Sequence, residues 1–275
     1  MSDGEAKETS EPEDQTDFWR DDVPTLLLAV AVALLVRTFL FQTFYVPSSS
    51  MYPTLLIGDH VFVNKFVYGP KLPFVDWRFP GLREPERGEV VVFQFARGPD
   101  GKIYPPDVRS DLPTDNFVKR LVGLPGDRIA YRNGRLILNG SPVPLEMTDQ
   151  TFTDESGVLR DVHIETLGEC RHVVLEDPHM TGRDMPERTI KPGRYLFMGD
   201  NRDNSYDGRI AGTVALSDLA GPAGLNYWSW DWNGSWLSLL NPLTWIDNLG
   251  SRMRWNRMGS TLRCLEPGEA PDLSS

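Results

Sequence analysis

The chain has 275 residues, is 40% hydrophobic and carries a net charge of −11. That is enough apolar material for a packed core, and the acidic balance excludes nucleic acid as a partner, because phosphate binding needs a basic surface. Two cysteines and four histidines stand apart without ligand-type spacing, so no metal site is expected.

Residues 1–22 hold nine acidic side chains against Lys7 and Arg20 and no apolar run, a composition that predicts a disordered tail. Residues 23–46, VPTLLLAVAVALLVRTFLFQTFYV, contain one charge, Arg37. About 20 mostly apolar residues suffice to cross a bilayer, so this segment predicts one transmembrane helix and lipid as a partner. It lies too far in and runs too long for a cleavable leader. Lys65, Lys71, Arg78, Arg83 and Arg87 after the span outnumber Lys7 and Arg20 before it. Taken alone, that bias would leave the bulk of the chain inside, although large domains translocate largely regardless of charge.

Beyond the span, short β-branched or aromatic segments alternate with Gly, Pro, Asn and Asp turns. They include 60–64, 89–95, 116–122, 128–131, 135–138 and 194–198. Asn133-Gly134 between two such runs is a two-residue hairpin signal. The class is therefore mainly β, with twisted or barrel-like sheets and a long Pro/Asp/Gly-rich loop over 96–115. Weaker strands over 141–190 read as part of an inserted subdomain. Six of the eight tryptophans, at 228, 230, 232, 236, 245 and 255, crowd the C-terminal part. They suit either a core or a headgroup-level membrane contact. Residues 265–275 read as a flexible tail, and Cys170 and Cys264 could pair in an oxidising compartment.

Three places could carry chemistry. Pro47-Ser48-Ser49-Ser50-Met51 begins where the span ends, and a serine needs an adjacent base to become a nucleophile. His60 sits in a strand pattern that suits a structural residue. Lys119 alternates with Phe117 and Leu121, and burial among apolar neighbours would free its amine of a proton near neutral pH. The third place, Gly199-Asp200-Asn201-Arg202-Asp203-Asn204-Ser205-Tyr206-Asp207, is dense in turn formers but lacks the spacing of a calcium loop. It could supply a hydroxyl, Ser205, to orient an amine.

These segments, in order behind a span, resemble bacterial type I signal peptidases, which are membrane-bound Ser–Lys endopeptidases. The matching elements are Pro-Ser-x-Ser-Met-x-Pro-Thr-Leu at 47–55, Arg87-Gly88-Glu89-Val90-Val91, and Val118-Lys119-Arg120 with Gly123-Leu124-Pro125-Gly126-Asp127. The last is Gly199 to Ser205 with Asp207 and Arg209. The resemblance implies Ser50 as nucleophile, Lys119 as general base, Ser205 as the serine positioning that lysine, and Ser48 with the Ser50 N–H as the oxyanion hole. Asp207 and Arg209 are implied as a supporting ion pair, with no cofactor. Ser49 stands where the family often has Gly, and Gly208 where it has Ser.

The implied fold is a coiled antiparallel β-sheet catalytic core, 47–127 and 191–264, with an inserted smaller β subdomain at 128–190. The implied location is the cytoplasmic membrane, with the tail inside and the catalytic domain on the outer face. This overrides the charge bias. Implied partners are preproteins with signal peptides, whose small side chains would enter shallow pockets lined by Val46, Pro47, Met51, Leu55, Phe117 and Val118. A self-cleaving Ser–Lys repressor would need a DNA-binding domain that residues 1–22 cannot form. A non-enzymatic anchored β-domain would leave the lysine and the doubled serine without a role.

Overall fold

The computed structural model describes residues 22–39, 41–71, 77–154, 156–180, 182–231, 250, 252–271 and 273. The tail at 1–21 and Trp232, Trp236 and Trp245 lie outside them.

In chain order the elements begin with helix α1 (Val23–Phe39), β1 (Phe41–Tyr45), β2 (Asp59–Asn64), β3 (Val90–Arg97), β4 (Ile103–Tyr104) and β5 (Thr114–Gly123). Then come β6 (Arg128–Arg132), β7 (Arg135–Leu138), β8 (Ser141–Pro142), β9 (Leu145–Thr153), β10 (Leu159–Leu167), β11 (Cys170–Glu176) and β12 (Met185–Thr189). β13 (Arg194–Met198), the short helix α2 (Gly208–Ala211), β14 (Val214–Ala215), β15 (Leu219–Ser229) and β16 (Ser260–Thr261) follow.

The expected helix over 23–46 is corrected. Helix ends at Phe39, and Phe41–Tyr45 is a strand paired antiparallel with β2, Phe41 opposite Asn64 and Tyr45 opposite His60. The reason lies in composition: Leu and Ala dominate the first part, whereas FQTFY is aromatic and β-branched, and a waiting sheet edge overrides its mean hydropathy. Among the described residues no helix is long and apolar enough to cross a membrane.

The architecture is mainly β and antiparallel. The largest sheet runs β1-β2-β15-β3-β5-β13-β14, with β16 on β15 and β4 on β3. Residues 128–189 build two smaller sheets, β12-β6-β7-β8 and β11-β10-β9. The Asn133-Gly134 hairpin forms as expected: Arg132 pairs with Arg135, and both turn residues take positive φ, 48° and 76°. This is the backbone that a two-residue turn of matching twist requires.

Two apolar clusters flank β3 and β5. Val91, Phe93, Phe95, Leu121, Tyr195 and Phe197 fill one. Val46, Met51, Leu55, Val61, Val63, Val90 and Val92 fill the other. Alternate residues of β3 thus feed opposite faces, and in β5 the stretch Lys119–Gly123 is buried while Thr114–Asn116 is exposed. Trp228 and Trp230 stack at 6.3 Å, while Trp255 is largely exposed.

Cys170, at the start of β11, forms a disulfide with Cys264, tying the inserted region to the chain after β16 across 94 residues of sequence. A cross-link closing so long a loop restricts the unfolded chain, and its loss typically costs about 2–5 kcal/mol. Cys264→Ser should therefore lower the urea midpoint of the β domain by a corresponding amount under oxidising conditions. The same midpoint with and without the bond would mean that packing alone fixes this end of the chain.

Candidate active site

The site lies where a turn, a strand and a loop converge. Ser49–Met51 is a single 3₁₀ turn after an extended Ser48, with Ser50 and Met51 buried. β5 carries Lys119, opposite Val91 on β3; two residues before it Phe117 pairs with Phe93, and two residues after it Leu121 pairs with Phe197, both packing in the Phe93 cluster. The loop after β13 supplies residues 199–207.

Lys119 is 4% exposed, and its Nζ donates to Ser50 Oγ and, at 3.0 Å, to the Val118 carbonyl. Ser48 Oγ lies 3.2 Å from Ser50 Oγ. Burial pushes the Lys119 amine down to about 8; Asp207 and Asp200 work against that shift and Arg209 with it. An ammonium removed from water and given no carboxylate of its own is costly, so burial shifts the balance toward the neutral amine. A neutral amine on a serine hydroxyl can accept its proton.

The carboxylates near the amine are already committed. Asp207 accepts from Arg209 Nε and Nη2, both at 2.9 Å, and from the Gly199 N–H at 2.9 Å. Burial acts to raise its pKa, but Arg209 holds the carboxyl below the usual range. Asp200 accepts from Arg120 Nε at 2.8 Å, Arg120 Nη2 at 2.7 Å and Thr54 Oγ1 at 2.6 Å. It too is held low by Arg120 against the effect of burial.

Ser205 lies beside this arrangement, its hydroxyl close over Gly199. A Cβ on Gly199 would stand 2.4 Å from both Ser205 Oγ and the Ser50 carbonyl, so only glycine lets the loop approach the turn. The Ser205 hydroxyl makes no well-aligned hydrogen bond, to Lys119 or any other described residue. It is near enough to Asp207 to favour that carboxylate.

A cavity of about 320 Å³ opens over Ser50 and Lys119. Its walls include Val46, Pro47, Phe117 and Val118, joined by Phe44 and Val92. Met51 and Leu55 are fully buried in the cluster below and do not reach it. His60 does not line the cavity; its ring packs 5.3 Å from that of Tyr45, which does.

The clamp on the serine turn was not anticipated from sequence. Asn201 N–H donates to the Ser50 carbonyl at 3.2 Å and its Nδ2 to the Ser49 carbonyl at 3.1 Å. Asn204 Nδ2 donates to Ser49 Oγ at 2.9 Å. The available signal was the run of amide side chains itself, in the same loop as Ser205.

Residues 19–228 match the family described as signal peptidase, peptidase S26. The chain belongs to that family. It is a peptidase, and the family is the one its motifs resemble. Signal peptidase I of Pseudomonas aeruginosa is 36% identical over 214 residues, covering 72% of this chain and 69% of that protein. Probable signal peptidase I-2 of Synechocystis is 30% identical over 230 residues, covering 83% of each. A solved signal peptidase I from Enterococcus faecalis is 21% identical and spans 52% of this chain and 98% of its own, with a TM-score of 0.28, a likeness too slight to carry an argument.

Within the peptidase, the Arg120–Asp200 pair is almost wholly buried. Removing one partner of such a pair strands the other charge and costs about 3–5 kcal/mol, whereas replacing both by apolar groups costs far less. Asp200→Asn should lower the urea midpoint strongly, and Arg120→Met with Asp200→Leu should recover much of the loss. A single variant as stable as the parent would show that the guanidinium finds water or another partner.

Proposed function

We propose that this peptidase removes signal peptides from exported preproteins by a Ser50–Lys119 mechanism. The observation that carries the reading is the Lys119 amine, buried and hydrogen-bonded to Ser50 Oγ at the floor of an open cavity. Ser50 Oγ attacks the scissile carbonyl as its proton passes to Lys119 Nζ. The oxyanion is held by the Ser50 N–H and the Ser48 hydroxyl, which stands 3.2 Å from the nucleophile. Lys119 returns the proton to the departing amine nitrogen, the C–N bond breaks, and an ester on Ser50 remains. Lys119 then takes a proton from water as its oxygen attacks the ester; the bond from the acyl carbon to Ser50 Oγ breaks, Lys119 returns the proton to Oγ, and the signal peptide leaves with a new C-terminal carboxyl group. No cofactor enters these steps.

Ser205 and the Asp207–Arg209 pair act in support. The pair shapes the loop at Gly199 and keeps a carboxylate from capturing the ammonium. Ser205 orients the amine once substrate has entered, when catalytic hydrogen bonds commonly tighten. Val46, Pro47, Phe117 and Val118 form shallow pockets for the small side chains before the cut, and Met51 and Leu55 set the depth of that floor from below.

The catalytic domain, 47–127 and 191–264 with the 128–190 insertion, is anchored to the cytoplasmic membrane and faces outward, with the acidic tail inside. Support comes from α1, whose Leu26, Leu27, Leu28, Val30, Val32, Leu34 and Val36 are all exposed. A helix with apolar side chains all round needs a non-aqueous environment.

Ser50→Ala and Lys119→Ala should each lower kcat/KM on a preprotein by roughly four to six orders of magnitude in folded protein, and the double variant should be little worse than either. Substantial turnover by folded Lys119→Ala would eliminate the mechanism.

The pH dependence follows from the buried amine. The active form is neutral, so kcat/KM should rise with pH and reach half its plateau near the Lys119 value of about 8. A limb close to the ordinary lysine value of about 10.4 would mean the amine is not desolvated in solution. One centred near 6.5 and abolished by His60→Gln would identify a histidine base instead.

A further inference from the structure

Among the contacts of the inserted region with the catalytic loop, which include the Asp177 N–H donating to Asp203 Oδ2 at 2.6 Å, one set is concentrated and buried. On the backbone, Leu175 of β11 donates to the Asp200 carbonyl at 2.8 Å, forming a parallel bridge at Asn201. Glu165 of β10 takes both ends of the Arg202 guanidinium, with Arg202 Nη1 at 2.9 Å from Oε2. Between them sits His172 of β11, its Nε2 3.3 Å from Glu165 Oε1 and 4.0 Å from Asp200 Oδ1. All five residues of the series Arg120, Asp200, His172, Glu165 and Arg202 are at most 2% exposed.

Each acid in that series has its own arginine, so the two pairs are neutral and His172 carries no compulsory charge. Burial and the facing Arg120 favour the uncharged imidazole, against the pull of Glu165 and Asp200. Neither ring nitrogen makes a well-aligned hydrogen bond, so what the ring supplies is a buried polar spacer packed between two carboxylates, one in the inserted region and one in the loop. The loop in turn grips the serine turn: Asn201 N–H holds the Ser50 carbonyl and Asn201 Nδ2 holds the Ser49 carbonyl.

We propose that the inserted region positions the nucleophile, and that His172 and Glu165 are the positioning residues through which it does so. They touch no reacting atom. They fix the loop at Asp200–Arg202, the loop fixes the backbone of Ser49 and Ser50, and that backbone sets both the nucleophile's approach and the oxyanion N–H. This rests on Ser50 being the nucleophile. An ångström of misplacement at reacting atoms costs on the order of a hundredfold in rate. The cost should fall mainly on kcat rather than KM, because the apolar walls of the cavity, Phe44, Val46, Pro47, Val92, Phe117 and Val118, come from segments other than the turn and the loop. The turn and the loop add Ser48, Ser49, Asn204 and Tyr206 to its lining.

The test compares the full-length protein with His172→Leu and His172→Gln in detergent, measuring kcat and KM on a preprotein and hydrogen exchange at the Asn201 amide. His172→Leu should lower kcat about ten- to hundredfold with KM within about twofold, and should speed exchange of the Asn201 amide. His172→Gln, which keeps an N–H donor and an acceptor, should restore most of both. Parental kcat and exchange in folded His172→Leu, or a loss expressed in KM alone, would overturn the proposal. Should His172→Leu not fold, Glu165→Asp keeps the charge and withdraws the carboxylate by one methylene, with the same expectations and the same refuting results. The exchange readout does not depend on catalysis. Turnover by Ser50→Ala would therefore refute the nucleophile assignment, while the amide rates would still decide whether the insertion holds the loop.

Discussion

An amine buried against a serine hydroxyl, if it is to act as the base proposed above, must be able to give up its proton near neutral pH, and the organisation of the site fits that constraint. A single carboxylate at salt-bridge distance would stabilise the charged form and raise the pKa out of reach of neutral pH. Two carboxylates do act on Lys119, yet both Asp207 and Asp200 are bound side-on by arginines. Each pair is nearly neutral from outside. The amine therefore sits among strong dipoles and no free negative charge, and desolvation decides its state.

Neutralising those acids costs burial of the arginines as well, and buried ion pairs seldom stabilise a fold relative to apolar packing. Here they also carry geometry. Arg120 Nη1 donates to the Gly88 carbonyl at 2.7 Å, Arg202 Nε to the Gly199 carbonyl at 3.2 Å, and Arg209 Nη2 to the Arg202 carbonyl. The bidentate fork of each guanidinium thus joins a carboxylate to a backbone carbonyl elsewhere. Apolar replacements could match the volume without fixing those distances.

Much of this was legible in the sequence where a local rule operated. Asn133-Gly134 announced its hairpin because positive φ at two successive positions is a chemical requirement. Phe117, Lys119 and Leu121 were assigned to one face because strand side chains alternate. What local rules could not reveal is what each face meets. The boundary of α1 failed because FQTFY satisfies an apolar window as readily as it satisfies a strand, and only the exposed edge of β2 decides between them. Met51 and Leu55 were placed in the pocket for their closeness to Ser50 in sequence, while the tight turn sends both into the core. Glu165 and His172 gave no signal at all: each lies in an ordinary alternating strand, far along the chain from the loop it meets.

Ser49 shows how a departure from the family's pattern is absorbed. Where Gly is often found, a side chain adds a hydroxyl at the lip of the cavity that must be hydrogen-bonded or solvated. Asn204 Nδ2 meets it at 2.9 Å, and the same loop already holds the Ser49 carbonyl through Asn201. The substitution therefore adds a second attachment between turn and loop at the cost of the backbone freedom glycine would allow. Under the proposed mechanism Ser50 must be held in one approach, and reduced freedom beside it at Ser49 is compatible with that need.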